Sequence, residues 1–232
     1  MVGVWEAIPF QEFAPSFGGG QPYACTEVDE FSARRISFPA HSTILTESEP
    51  ATAIYKLTRG TACLYKMLAD GRRQIVGFAL PGDFLRSPFV ERYSCSVNAI
   101  SEVAARRFSR EPFLTFLRSH PEHLGLMLEA ALQEINAARD HMLLLGRGTA
   151  KEKVVEFIVR WRARAGRKGA LANLVPLPMS RRDIADFLGL TIGTVSRIIT
   201  KLERENVLRI TSEGLQLMGS TDRPLLFERR YH

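Results

Sequence analysis

Apolar positions change their period along the chain. From about Phe31 to Phe108 they alternate, as half-buried strands require. Ala53–Thr58 and Ala62–Met67 are two such runs. Asp70-Gly71 forms a hairpin turn into Arg72–Phe78. Gly60 and Pro81-Gly82-Asp83 supply further turns. Tyr93–Ile100 and Val103–Phe108 read as later strands. Short strands with turns at this density predict a barrel or jelly roll.

The period then lengthens. Leu124, Leu128, Ala131, Ile135, Ala138, Met142 and Leu145 are spaced 4, 3, 4, 3, 4, 3. This is the a/d seam of a heptad repeat on one long helix. Such a helix either packs on its own roll or pairs with a second copy. The narrow seam favours two parallel copies, with Ala131 and Ala138 allowing close approach of the backbones. Gly146 and Gly148 mark a hinge. A further helix runs from the N-cap Thr149 to about Ala165, and the basic stretch Arg160–Lys168 reads as a helix end and exposed loop.

Residues 177–204 carry the most information. Ser180 is an N-cap with Asp183 at the third helical position, a capping-box spacing. Gly189 makes a tight turn, and Thr191 caps a second helix. That helix buries Val195, Ile198, Ile199 and Leu202 at i, i+3, i+4, i+7. Its other face presents Ile192, Gly193, Ser196, Arg197 and Thr200. This is the layout of a helix-turn-helix whose second helix enters the DNA major groove, rather than a hairpin with a solvated face. Leu208–Thr211 and Leu215–Leu217, joined at Ser212-Glu213-Gly214, add a small hairpin and make the module a winged helix. Arg197 has the side chain to bond guanine O6 and N7 together. Ser180, Arg181, Thr191 and Thr194 lie near helix N-termini, where free N–H groups favour phosphate. Ser196 and Thr200 have the reach for bases or backbone. Arg182 and Lys201 are further phosphate candidates.

Over about twenty consecutive positions from Leu177 to Arg197 the chain resembles the CRP/FNR family of bacterial transcription regulators. The run Leu80-Pro81-Gly82-Asp83-Phe84 resembles the cyclic-nucleotide-binding β-roll of the same family. The resemblance covers residues 30–220. It implies an α+β fold with an N-terminal β-roll, a long dimerisation helix and a C-terminal winged helix-turn-helix. The expected division is a flexible segment over 1–24, a β-roll over 25–110, a dimerisation-helix region over 111–146 and a DNA-binding domain over 147–232. The resemblance further implies a homodimer formed through the heptad helix, a palindromic operator like TTGAT-N4-ATCAA in double-stranded DNA, and contact with RNA polymerase as an activator. Many relatives carry Glu at the position of Gly193, where the carboxylate accepts from cytosine N4. Glycine lacks that acceptor and costs about 1 kcal/mol of helix propensity. One base position of the usual half-site is therefore expected to be altered.

Composition adds bounds. A chain of 232 residues with 45% hydrophobic and 24% charged content is globular. Residues 147–232 hold 17 Lys and Arg against 9 Asp and Glu, and the remainder holds 14 against 16. The basic C-terminal part is the one suited to a polyanion. No apolar run approaches the length of a membrane span, and the start Met1–Glu6 lacks a secretory pattern. Three widely spaced cysteines, Cys25, Cys63 and Cys95, suit a reduced, cytoplasmic chain.

Cofactor signals are incomplete. Cyclic AMP binders of the family offer a Gly-Glu pair and an Arg-Ser/Thr-Ala run. Phe84–Ser96 here holds Arg86-Ser87 without the rest. An iron–sulfur cluster needs four thiolates, and Cys25 stands alone near the N-terminus. His120 and His123 are three apart at a helix start and are expected to be solvent-facing imidazoles. No cofactor, metal or catalytic constellation is expected. This gap resembles the FixK-type branch, which regulates low-oxygen genes. Two other readings remain open: a regulator gated by a small molecule in the roll, and a cupin-type enzyme with a helical appendage. The latter needs a metal-binding His/Glu set that His41 alone does not supply.

Overall fold

A computed structural model of the chain describes residues 33–85, 87–165 and 173–218. The expected flexible segment over 1–24, together with Cys25 and Arg86, lies outside them. Among the described residues seven strands come first: β1 (Arg34–Phe38), β2 (Thr43–Leu45), β3 (Ala53–Arg59), β4 (Ala62–Met67), β5 (Arg73–Ala79), β6 (Ser96–Ala99) and β7 (Val103–Ser109). They form two antiparallel sheets, ordered β1-β7-β3 and β2-β6-β4-β5. Leu57, Leu64, Leu85, Val97 and Val103 fill the space between the sheets.

Turn chemistry fixes the hairpins. At the β4–β5 turn Asp70 Oδ1 accepts from Arg72 N at 3.0 Å, and Gly71 takes φ +81°. At the β3–β4 turn Gly60 has φ +87°, and a Cβ there would stand 2.1 Å from the carbonyl oxygen of Glu102. Glycine is required at that position on both counts.

Among the described residues five helices follow: α1 (Arg110–Ser119), α2 (Pro121–Arg147), α3 (Ala150–Ala165), α4 (Arg181–Leu188) and α5 (Ile192–Arg204). Phe113, Phe116 and Leu117 of α1 close the β3/β7 side of the roll with Ile54 and Phe108. The 27 residues of α2 span about 40 Å. This helix has two faces. His123 and Ala137 are buried on its own protomer, and Met127 packs on the α1 cluster. Of the seam, Leu124, Leu128, Ala131, Ile135, Ala138 and Met142 are exposed and Leu145 is half-buried.

One expectation fails here. His123 is buried, and its ring stacks on Phe116 at 5.3 Å; His120 stacks on the same ring at 4.2 Å. The aromatic end of α1 draws His123 out of solvent, whereas His120 stacks on the ring but stays half-buried.

Helix α3 begins with a capping box. Thr149 Oγ1 accepts from Glu152 N, and Glu152 Oε2 accepts from Thr149 N at 2.7 Å. Its C-terminal arginines belong to the expected helix end. Arg160 is bonded to Glu156 at 2.6 Å, and Arg164 reaches Asp83; their side chains are only 12% and 11% exposed. Carboxylates from α3 and the roll hold these two guanidinium groups inside. The rest of the stretch, with the loop it was expected to form, lies outside the described residues. The last sheet is β8 (Leu174–Val175), β10 (Gly214–Leu217) and β9 (Leu208–Thr211), with β10 in the middle. The expected two-stranded wing thus gains a third strand from the segment before α4.

Candidate nucleic-acid interface

The interface is built from short-range rules. Ser180 Oγ accepts from Asp183 N at 3.1 Å, and Asp183 Oδ2 accepts from Ser180 N at 2.9 Å, so α4 starts on a complete capping box. Gly189 ends the helix at φ 62°, and Leu190 N returns to Ala185 O at 3.0 Å. Thr191 Oγ1 then accepts from Thr194 N at 3.1 Å and opens α5. Ile184, Ala185, Phe187 and Leu188 of α4 are buried with Val195, Ile199 and Leu202 of α5. Ile198 is only partly buried at the edge of this core.

The opposite face of α5 is open. Thr191, Ile192, Gly193, Arg197, Thr200 and Lys201 are exposed, and Thr194 and Ser196 are half-buried. The Arg197 guanidinium lies back along the first turn. Nε donates to Gly193 O at 3.2 Å and Nη2 to Thr194 Oγ1 at 3.4 Å. Thr194 Oγ1 is in turn 2.9 Å from Thr191 Oγ1. This chain of bonds confines a long side chain before any ligand arrives. A Cβ added at Gly193 would meet only Thr191 Oγ1, at 4.0 Å. The fold does not require glycine there, and the shallow space stands directly beside the Arg197 head group.

Ser180 and Arg182 are exposed at the start of α4. Arg181 is half-buried. Desolvation lowers its affinity for the proton, while the charge of Glu203 acts the other way. It lines a groove of about 910 Å³ together with Pro81 of the roll, Trp161 and Arg164 of α3, and Ile210 and Glu213 of the wing.

The roll and the helical module share a core. Phe78 of β5 is fully buried against Phe157, Trp161 and Phe187, with ring centroids at 6.1, 5.6 and 5.3 Å. Arg164 Nη1 donates to Phe78 O at 3.1 Å, and Nη2 pairs with Asp83. Burial pushes the Asp83 carboxyl up from its ordinary value, and Arg164 opposes that shift. On the other side Arg73 of β5 bonds Asp183 and Asp186 of α4. Nothing in the sequence pattern identifies Arg73, Asp83, Arg164 or Asp186 as partners. The only signal is negative: Asp186 is an acid on a helix whose neighbours Ala185, Phe187 and Leu188 are all buried.

A cyclic nucleotide needs a cation for its phosphate and a carboxylate for its ribose. Among the described residues from Phe84 to Ser96, Arg92 is held on Ser48 O at 2.7 Å, Glu91 is exposed and Ser96 Oγ accepts from Glu47 N. These residues do not assemble the set. Cys63 and Cys95 are both buried, with burial pushing the Cys63 thiol up to about 11. Among the described residues no three His, Cys, Asp or Glu side chains gather to hold a metal ion, and no helix is long and apolar enough to cross a membrane.

A β-roll, a long helix with one apolar face outward and a winged helix-turn-helix define a bacterial transcription regulator with a sensor-like domain. Comparison with known families agrees: residues 35–120 match the cyclic nucleotide-binding domain, and residues 177–208 match the bacterial regulatory proteins of the crp family. The chain is 48% identical over 186 residues to the transcriptional activatory protein AadR of Rhodopseudomonas palustris, covering 80% of this chain and 78% of that one. It is 46% identical to the nitrogen fixation regulation protein FixK of Bradyrhizobium diazoefficiens, covering 83% and 82%. The solved structure of FixK2 from Bradyrhizobium japonicum superposes with a TM-score of 0.77 at 34% identity, covering 84% of this chain and 96% of that one. The chain belongs to the CRP/FNR family of bacterial transcription regulators, as a FixK-type member.

Proposed function

We propose that the chain acts in the cytoplasm as a homodimeric activator that binds double-stranded DNA at a palindrome of the TTGAT-N4-ATCAA type. The observation that carries this reading is the open face of α5, where Arg197 is held by Gly193 and Thr194 at the exposed start of a helix packed on its other side. Arg197 reads a guanine by two hydrogen bonds. Ile192 offers apolar contact, and Ser196 and Thr200 reach neighbouring bases or the backbone. Ser180, Arg181, Arg182, Thr191, Thr194 and Lys201 hold phosphates. Two copies pair through Leu124, Leu128, Ala131, Ile135, Ala138, Met142 and Leu145, a stripe that one copy leaves largely open to water.

The relatives' names supply the direction of control. AadR is an activatory protein and FixK a regulator of nitrogen fixation. We extend this direction of control to a role in low-oxygen or related metabolic genes, with RNA polymerase as the protein partner. In this reading the chain needs neither cyclic nucleotide nor iron–sulfur cluster: its sequence lacks the Gly-Glu pair and Arg-Ser/Thr-Ala run of the family's cyclic AMP binders, and its three cysteines are one short of the four thiolates a cluster needs.

The test is a binding series over all four bases at each half-site position, at fixed salt and without added ligand. Arg197→Ala weakens specific binding by about 1–3 kcal/mol and leaves non-specific affinity nearly unchanged. Gly193→Glu sharpens preference at one G·C pair per half-site. Unchanged base preferences in Arg197→Ala, or tight binding only with cyclic AMP or cyclic GMP, overturn the reading.

A further inference from the structure

Strand β5 grips α4 at both ends. Arg73 Nε and Nη2 donate to Asp186 Oδ2 at 2.9 and 2.8 Å, and Nη2 also reaches Asp183 Oδ1. The other oxygen of Asp183 accepts from Ser180 N and Ser180 Oγ, so one carboxylate serves both the helix cap and the roll. Next along the strand, Gln74 Nε2 donates to Phe187 O at 3.3 Å. The guanidinium sits 5.9 Å from the Tyr65 ring, and the Arg73 side chain is 26% exposed.

The cap of helix α4 is internal, and its apolar face packs on α5, on α3 and, through Phe187, on Phe78 of β5, so the polar grip adds direction to a contact that burial already makes. Charge pairs removed from water add little net stability, yet a planar guanidinium held by two carboxylates fixes direction closely. Desolvation opposes the charge on both Arg73 and Asp183, but their mutual bonds, and those from Ser180, prevail: the Asp183 carboxyl is held below its ordinary value and Arg73 above.

We infer that Arg73 is a positioning residue for operator recognition: by anchoring Asp183 and Asp186 to the β-roll, it sets the direction of the α4–α5 pair and hence the half-site spacing that the dimer accepts. This inference rests on the DNA-binding reading above. In a dimer the two recognition helices must meet the groove one helical turn apart. Each added base pair moves one half-site by about 3.4 Å along the axis. A stiff joint penalises that displacement, and a loose joint follows it.

The experiment uses the full chain and palindromes whose half-sites are moved apart one base pair at a time. For the wild type, affinity peaks sharply at one spacing. Arg73→Gln lowers the ratio of best to neighbouring spacing by about tenfold. Arg73→Lys restores part of it, and Asp186→Asn added to Arg73→Gln has no further effect. Circular dichroism and sedimentation check that each variant is folded and dimeric. Should Arg73→Gln fail to fold, Asp186→Asn alone, which spares the α4 cap, gives the same readout. A folded variant with an unchanged spacing ratio overturns the inference, and so does equal loss at every spacing, which is what a merely structural role produces. A wild type that binds no palindrome overturns the DNA-binding reading itself and this inference with it.

Discussion

Replacing Ile135 by Glu places a carboxylate in the middle of the proposed dimer seam. Ile135 is 47% exposed in the single chain, so about half of its side chain remains to be buried by a partner. Full burial of an isoleucine contributes about 1.5–3 kcal/mol, so the remaining half contributes about 1 kcal/mol per copy, or about 2 kcal/mol per dimer. The introduced carboxylates face each other at an a/a′ position. Helix axes about 8–10 Å apart place them about 6 Å from each other. At that distance their repulsion is about 3 kcal/mol for an effective dielectric constant near that of a partly buried pair. The sum, about 5 kcal/mol, lowers the association constant by between three and four orders of magnitude. Leu143→Glu is the control. Leu143 is 67% exposed but lies next to the seam rather than on it, so its association constant stays within a few-fold of the wild type. Sedimentation equilibrium over a concentration series measures both, and a gel shift follows operator binding. An Ile135→Glu protein as dimeric as the wild type, or a monomeric wild type binding the palindrome at full affinity, would refute the reasoning.

Arg181→Ala removes a phosphate contact, so it weakens all DNA sequences alike and lowers the slope of log K against log salt by about one unit. A titration in which the slope is unchanged contradicts that role. Gly60→Ala forces a Cβ onto the Glu102 carbonyl at a positive φ, and destabilises the fold by about 2–4 kcal/mol. Calorimetry then shows Tm lower by about 5–15 °C, and an unchanged Tm counts against the close approach. His141 stacks on Phe187 at 4.2 Å, and desolvation there lowers its pKa to about 4. Between pH 6.5 and 4 the unfolded chain takes up a proton at this site that the folded chain refuses. Stability from this group is therefore complete above pH 6.5 and falls as pH drops toward 4, by up to about 3 kcal/mol. Urea unfolding at the two ends of that window, with His141→Phe as control, measures it; equal pH dependence in the two proteins would contradict the assignment.

Much of this molecule follows from short-range order in the sequence. The Ser180–Asp183 box, the left-handed Gly189 and the Thr191 cap each join residues no more than a few positions apart, and the reason for each is local hydrogen bonding. The alternating strands and the heptad stripe are equally legible, because a periodic pattern describes one surface of one element. Such a pattern does not say what else the element touches. Helix α2 carries a second, inward face with His123 and Ala137, and the ring of His123 is buried because α1 brings Phe116 against it. The joint between the roll and the helix-turn-helix was least visible. Arg73 and Asp186 stand 113 residues apart, and Arg164 and Asp83 stand 81 apart. In sequence each is an ordinary polar residue suited to solvent. Only the docking of β5 on α4 and α3, driven by burial of Phe78 among Phe157, Trp161 and Phe187, removes water from those charges and makes each the partner the other requires.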